Sequence, residues 1–286
     1  MQAESFGLKT SPRRSLAVAV LALLAAGCAH KESKPAAPAP EAPQPAASAP
    51  KPVMDQHALD LLKRMSDTLA AAKTFSYRSH GMAEFPAHTG QFLTFFGDTE
   101  VALERPNKLR GKVSGDMPPF HIVYDGSKVS AYDPEKNLYA VTDAPATIDE
   151  TLKLLIEKSG IDFPASDILS SDPYAVMTRG VDSAFVVGSS VVEGFPCEHL
   201  AFMGPGVNWE IWIDSGKTPV PRRFAVTYKE ATNFPRFMVE FSNWKLNPKF
   251  PAGQFAFKPP AQAKQIEFAA QSGSGIKKLE EEGGGK

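Results

Sequence analysis

Two runs of short segments with a period of two, separated by a stretch with helical spacing, constrain this chain more than any other feature. In the first, Phe75, Tyr77, Ser79, Gly81, Ala83 and Phe85 alternate with Ser76, Arg78, His80, Met82 and Glu84. Residues two apart on a strand share a face, so this segment has one face more apolar than the other. Similar candidates follow at 91–104, 108–115, 120–124, 128–132 and 137–142, with Asp125-Gly126 and Asp133-Pro134 as turn signals between them. The second run covers 183–193, 197–203, 207–214, 222–229 and 237–246. Strands this short and this closely spaced pair with their neighbours as antiparallel meanders. The fold class expected is α+β, mainly β: one large curved antiparallel sheet with helices packed on one side.

The helices are legible from a different period. Asp55 can cap a helix in which Leu59, Leu62, Met65 and Leu69 recur every three or four residues, an arrangement that lays an apolar stripe along one side. Between the two strand runs, Thr147 and Glu150 form a capping box, and Ile148, Leu152, Leu155 and Ile156 make a second amphipathic helix with Gly160 as its stop. Short helical turns are predicted at 166–169 and 173–178.

The N-terminus belongs to export rather than to the fold. Arg13 and Arg14 precede the apolar run Leu16 to Leu24, and Leu24-Ala25-Ala26-Gly27-Cys28 closes it with small residues before a cysteine, the plan of a secretory signal. The run is shorter than the roughly 20 residues that cross a bilayer core. The segment resembles a bacterial lipobox, in which Cys28 accepts a diacylglycerol; an ordinary signal cut at a similar small-residue site is the other reading. Ala29, rather than an aspartate, follows the cysteine, and by resemblance to bacterial sorting rules this favours the periplasmic face of the outer membrane. The organisation expected is a signal peptide at 1–27, a lipidated cysteine and Pro/Ala-rich tether at 28–52, one domain at 53–269, and a Gly-, Ser-, Lys- and Glu-rich tail at 270–286. A net charge of −1 and a pI of about 6.6 offer no basic surface on average, so nucleic acid is not an expected partner. With Cys28 lipidated, Cys197 has no partner within the chain and is buried, free or intermolecular.

Motifs that carry chemistry are sparse. No nucleophile elbow, zinc-binding His-Glu-x-x-His, phosphate-cradling Gly-rich loop or Cys-x-x-Cys occurs, and neither cofactor, metal nor catalytic residue is predicted. The one suggestive cluster is Cys197-Glu198-His199: on a strand, positions 197 and 199 share a face, so thiol and imidazole could act as nucleophile and base or as two metal ligands. A small buried cysteine beside a hydrogen-bonded histidine is the simpler account. Trp209 and Trp212 lie in a strand with large residues on both faces, either core or the lining of a cavity. Phe92, Phe95, Phe96 and Phe120 in the first run, and Phe202, Phe224, Phe237 and Phe241 in the second, supply further aromatic surface.

Leu103-Glu104-Arg105-Pro106-Asn107-Lys108-Leu109, then Tyr124-Asp125-Gly126-Ser127-Lys128 and Tyr132-Asp133-Pro134, resemble the progression of motifs in the LolA and LolB lipoprotein carriers. Trp212-Ile213-Asp214, Pro219 to Phe224 and Phe255-Ala256-Phe257-Lys258-Pro259-Pro260 resemble their second half. Gly194-Phe195-Pro196-Cys197-Glu198-His199-Leu200-Ala201-Phe202, with Trp209 and Trp212-Ile213, more closely resembles an uncharacterised family of predicted periplasmic proteins in the same superfamily. The resemblance implies a half-open, incomplete antiparallel barrel whose concave face holds acyl chains beneath a helical lid, with Arg105 at the position of an arginine that holds the lid by hydrogen bonding; a solvated strand-end arginine before the proline that ends the strand is the other reading of Arg105. Phe75, Tyr77, Phe92, Trp209 and Trp212 are the accompanying candidates for ligand and lid contacts. The function expected is therefore non-catalytic binding of a lipid, an acyl chain or a lipoprotein. A protein-interaction or envelope-stress sensor module with an envelope protein partner is the alternative, and a hydrolase or metal site at Cys197 and His199 is the third.

Overall fold

The computed structural model describes residues 52–159 and 165–268. The expected signal peptide, Cys28, most of the expected tether, Gly160 and the expected tail lie outside them. Helix α1 (Gln56–Ala71) is followed by strands β1 (Thr74–Pro86), β2 (Phe92–Glu104), β3 (Lys108–Gly115), β4 (Phe120–Tyr124), β5 (Lys128–Asp133) and β6 (Leu138–Asp143). Then come α2 (Ile148–Ser159), a 3-10 turn (Ser166–Leu169) and α3 (Pro173–Met177). Strands β7 (Ser183–Val192), β8 (Phe195–Met203), β9 (Val207–Asp214), β10 (Pro221–Tyr228), β11 (Arg236–Leu246) and β12 (Lys264–Ile266) complete the chain.

All the strands join one open, curved sheet in the order β12-β6-β5-β4-β3-β2-β1-β11-β10-β9-β8-β7. Two antiparallel meanders thus meet at the central pair β1 and β11, where Phe75 faces Leu246 and Ala83 faces Phe237. The backbones at this junction run close: a Cβ on Gly81 would lie 2.6 Å from the Met238 carbonyl oxygen, and, one pair of strands away, Gly115 holds φ +128 against the backbone of Phe96 and Gly97. Glycine at those two positions lets the sheet curl.

Alternation sorts the side chains onto two faces. Phe75, Tyr77, Val101, Leu103, Leu200, Phe202, Trp209, Ile211, Phe224 and Phe241 are buried in one core with α1 and Ile148 and Leu155 of α2. Helix α1 is placed there by its sequence. The Asp55 carboxylate accepts from the His57 N–H at 2.9 Å, the N-cap that the sequence predicts, and the face bearing Ala58, Leu61, Leu62, Met65 and Leu69 is 5% exposed or less. It packs on β7 and α3. Helix α2 starts as expected, with the Glu150 N–H donating to Thr147 Oγ1 at 3.2 Å.

The opposite face is covered in part by the segment after β11. Arg110 of β3 donates to the Gln254 carbonyl at 3.0 Å, Phe255 is buried beside Phe250, and Phe257 lies against Tyr132 and Tyr139. The segment ends as β12, the one parallel neighbour in the sheet, beside β6. The other edge, β7, is capped only at its start, where the Ala184 N–H donates to Val53 and the Asp55 N–H donates to Ala184.

Candidate functional site: a latched cleft on the concave face

Arg105 stands in the β2–β3 turn, at the end of the sheet where α1 finishes. Its guanidinium donates to the main-chain carbonyls of Ser170 at 2.7 Å and Leu169 at 3.2 Å, and more weakly to Leu69 of α1 at 3.5 Å, while its carbon lies 5.8 Å from the centre of the Phe75 ring. One side chain of the sheet therefore holds the last turn of α1 and the end of the 3-10 turn together. Neighbouring residues extend the tie: the Ser171 N–H donates to Asp149 of α2 at 2.9 Å, and Asp172 caps α3 by accepting from Ala175 at 3.0 Å. Burial pushes the Arg105 pKa down, and the Asp149 carboxylate works against that shift. An arginine stays protonated regardless, so the latch is a charge-assisted one. Its Nε, also buried, finds no acceptor among the described residues.

Beneath this latch Phe75, Tyr77, Phe241 and Trp244 form an aromatic cluster, with Tyr77 and Trp244 centroids 4.6 Å apart. Burial raises the Tyr77 phenol well above its ordinary range.

Next to the cluster, between the 3-10 turn and α3 on one side and β9 and β10 on the other, lies a cleft of about 230 Å³. Its floor is Trp209, Phe224 and Val226; Met177 and Val176 come from α3, and Arg179 and Asp167 stand among its polar lining. Trp209 is stacked on Phe202 with centroids 3.8 Å apart. Ligand pockets commonly occupy about 300–1,000 Å³, so this cleft accepts a whole acyl chain only if its lid side moves.

Phe75, Tyr77, Arg105 and Trp209 are thus brought to the concave side, and only Trp209 lines the cleft. Phe92 and Trp212 are not there. Phe92 pairs with Pro86, one residue out of step with the inward pair Phe85 and Leu93. Trp212 pairs with His199 and Arg223 on the outer face, three residues from Trp209. The expectation that these two side chains contribute to the cavity is corrected: an odd separation along a strand puts residues on opposite faces. Met177, Arg179, Gly204 and Pro205 of the cleft escape the sequence reading, because strand and helix periods say nothing about where the 3-10 turn and α3 dock.

Cys197 and His199 share the outer face, both against Trp212, but have different polar partners. Cys197 is fully buried with Val192, Trp212 and Ala225, its thiol directed to the Phe195 carbonyl at 3.3 Å, and burial raises its pKa. Activated thiols shift the other way. His199 stacks on Trp212 and meets Glu210 at 2.9 Å, and Glu210 in turn meets Arg236 at 3.3 Å. Among the described residues no three His, Cys, Asp or Glu side chains come together to hold a metal ion.

Against known families, the model described as Predicted periplasmic protein (DUF2092) matches residues 58–269, spanning α1 to the end of the described chain. The chain belongs to this family. The likeness read from its Gly194–Phe202 motif is thereby confirmed. A relative described as outer-membrane lipoprotein carrier protein, from Dechloromonas aromatica (strain RCB), is 27% identical to this family member over 164 residues, covering 57% of the chain and 68% of the relative. Among solved structures, an uncharacterized conserved protein from Thermus thermophilus has a TM-score of 0.44 at 13% identity, covering 74% of this chain and 99% of that one. Lipoprotein LppX of Mycobacterium tuberculosis has a TM-score of 0.43 at 12% identity, covering 69% and 98%.

Proposed function

We propose that this family member is a non-catalytic binding module of the bacterial envelope that takes an acyl chain, of a lipid or of a lipoprotein, into the cleft between α3 and β9–β10. It is held through lipidated Cys28 at the periplasmic face of the outer membrane. The observation that carries the reading is the pairing of an apolar cleft with a lid whose link to the sheet is the Arg105 guanidinium on the Leu169 and Ser170 carbonyls. Trp209, Phe224 and Val226 offer a floor without charge, and each methylene buried there contributes about 0.8 kcal/mol. Release of Leu169 and Ser170 from Arg105 loosens the 3-10 turn on the sheet side, leaving the tie to Asp149 of α2 as its pivot, so the cleft lengthens without disturbing the strands. The relative named as a lipoprotein carrier supports acylated cargo. Nothing about Cys197 and His199 favours hydrolysis over this reading.

Organic extraction of the full-length protein purified from its own membranes, followed by mass spectrometry, is expected to recover acyl lipid beyond the N-terminal anchor, and the extracted protein is expected to take up a fluorescent fatty acid. Val226→Trp, which fills the cleft, should abolish that uptake while leaving the circular dichroism spectrum unchanged. Absence of both bound lipid and uptake contradicts the reading.

A further inference from the structure

Most of the exposed large apolar side chains lie at one end of the sheet, with Val191 and Phe195 at the other. The strands run alternately, so the connections β1–β2, β3–β4, β5–β6, β8–β9 and β10–β11 and the start of β7 all fall at the same end. At or beside them stand Met54 at 52%, Leu93 at 39%, Met117 at 42%, Phe185 at 43%, Met203 at 36% and Phe234 at 59% exposure. They come from six separate segments. Phe234 stands out among them: its backbone and that of Asn233 hold φ values of 54° and 61°, a left-handed conformation that is costly for a bulky residue, while its ring gains little burial in return. Two further observations concern the same end. Gly204 and Pro205 of the β8–β9 connection and Tyr228 at the close of β10 line the cleft. The chain also enters the domain there, since Val53 and Met54 lie against Ser183 and Ala184, so everything N-terminal to Pro52, Cys28 included, is attached at this rim.

We infer that this end of the sheet is a contact surface for a lipid bilayer, with Phe234 and Met117 entering the interface and the cleft mouth turned toward the membrane. Apolar side chains brought to one end by six separate segments fit a fluid surface, which needs no fixed complementary shape, whereas a folded protein partner demands a contiguous, matched patch. No helix among the described residues is long and apolar enough to cross a membrane, so any contact these helices make is at the interface. The contact goes beyond acyl binding: a bilayer-seated rim would hand a chain between membrane and cleft without passage through water.

The test uses full-length protein reconstituted into phosphatidylethanolamine and phosphatidylglycerol vesicles. Single cysteines introduced as Phe234→Cys, Met117→Cys and, at the opposite end in the β9–β10 turn, Lys217→Cys carry an environment-sensitive dye; buried Cys197 is not labelled. Nitroxide on the lipid tails is expected to quench the dye at 234 and 117 severalfold more than at 217. Equal quenching at the three positions, or none at 234 and 117, overturns the bilayer contact. So does a dye signal at 234 that depends on protein concentration without lipid, which would mark self-association instead. Fatty-acid uptake by the same three variants is measured alongside. Retained uptake with no quenching sinks the rim contact alone, and quenching with no uptake sinks the cleft reading alone.

Discussion

His121 sits on the outer face of β4, in register with Lys112 of β3 and with Tyr132 of β5, its ring set edge-on to the tyrosine at 5.7 Å. Burial, then Lys112, then Arg110 hold its pKa below the ordinary 6.5. The unfolded chain therefore binds this proton at a higher pH than the folded one, and stability is lost as pH falls through 6.5 toward the folded value. Urea midpoints measured between neutral and mildly acid pH should decline on acidification, and His121→Asn should flatten that decline. An unchanged slope would show that another group sets it. At the same scale, the sequence separates what it can state from what it cannot. That Phe75 and Tyr77 share a face follows from their spacing, and so does the impossibility of Trp209 and Trp212 sharing one. Which of those two tryptophans points inward does not, because both faces of β9 carry large apolar residues and only the sheet's curvature chooses between them.

At the scale of elements, α1, α2 and the long strands were legible because each has an apolar period that must be buried against something. Strand β12 was not: three residues, Lys264, Gln265 and Ile266, carry no alternation, all are exposed, and they reach β6 only through the turns that follow Pro248. The latch was legible as a residue, through the Arg105-Pro106-Asn107 motif, while its acceptors are main-chain carbonyls that no sequence pattern marks. Its consequence belongs to the elements it joins. Replacing Arg105 with Met removes two firm charge-assisted hydrogen bonds at similar side-chain volume, and should lower stability by about 3 kcal/mol. Hydrogen exchange should accelerate in the 3-10 turn and α3 while the β1 and β11 amides stay protected. Uniform acceleration throughout the sheet would mean that Arg105 supports the whole core rather than the lid.

The whole domain is a curved sheet whose two wings meet at β1 and β11, roofed on one side by helices and strapped on the other by the segment that follows β11. Its general architecture was open to inference because a sheet with one apolar face requires a cover. The size and position of the remaining space were not, since about 230 Å³ is what is left after the 3-10 turn and α3 have packed on β9 and β10, a small difference between large filled volumes. The two faces of β9 offer a direct test of whether that space is the acyl site. The protein has three tryptophans, Trp209 in the cleft, Trp212 on the opposite face and Trp244 in the inner aromatic cluster. A chain retaining only Trp209, and another retaining only Trp212, with Phe at the remaining positions, are titrated with a fatty acid brominated along its tail. Saturable quenching of Trp209 with Trp212 unaffected is the result predicted; quenching of Trp212 to the same degree, or of neither, contradicts a cleft that binds acyl chains on the concave face.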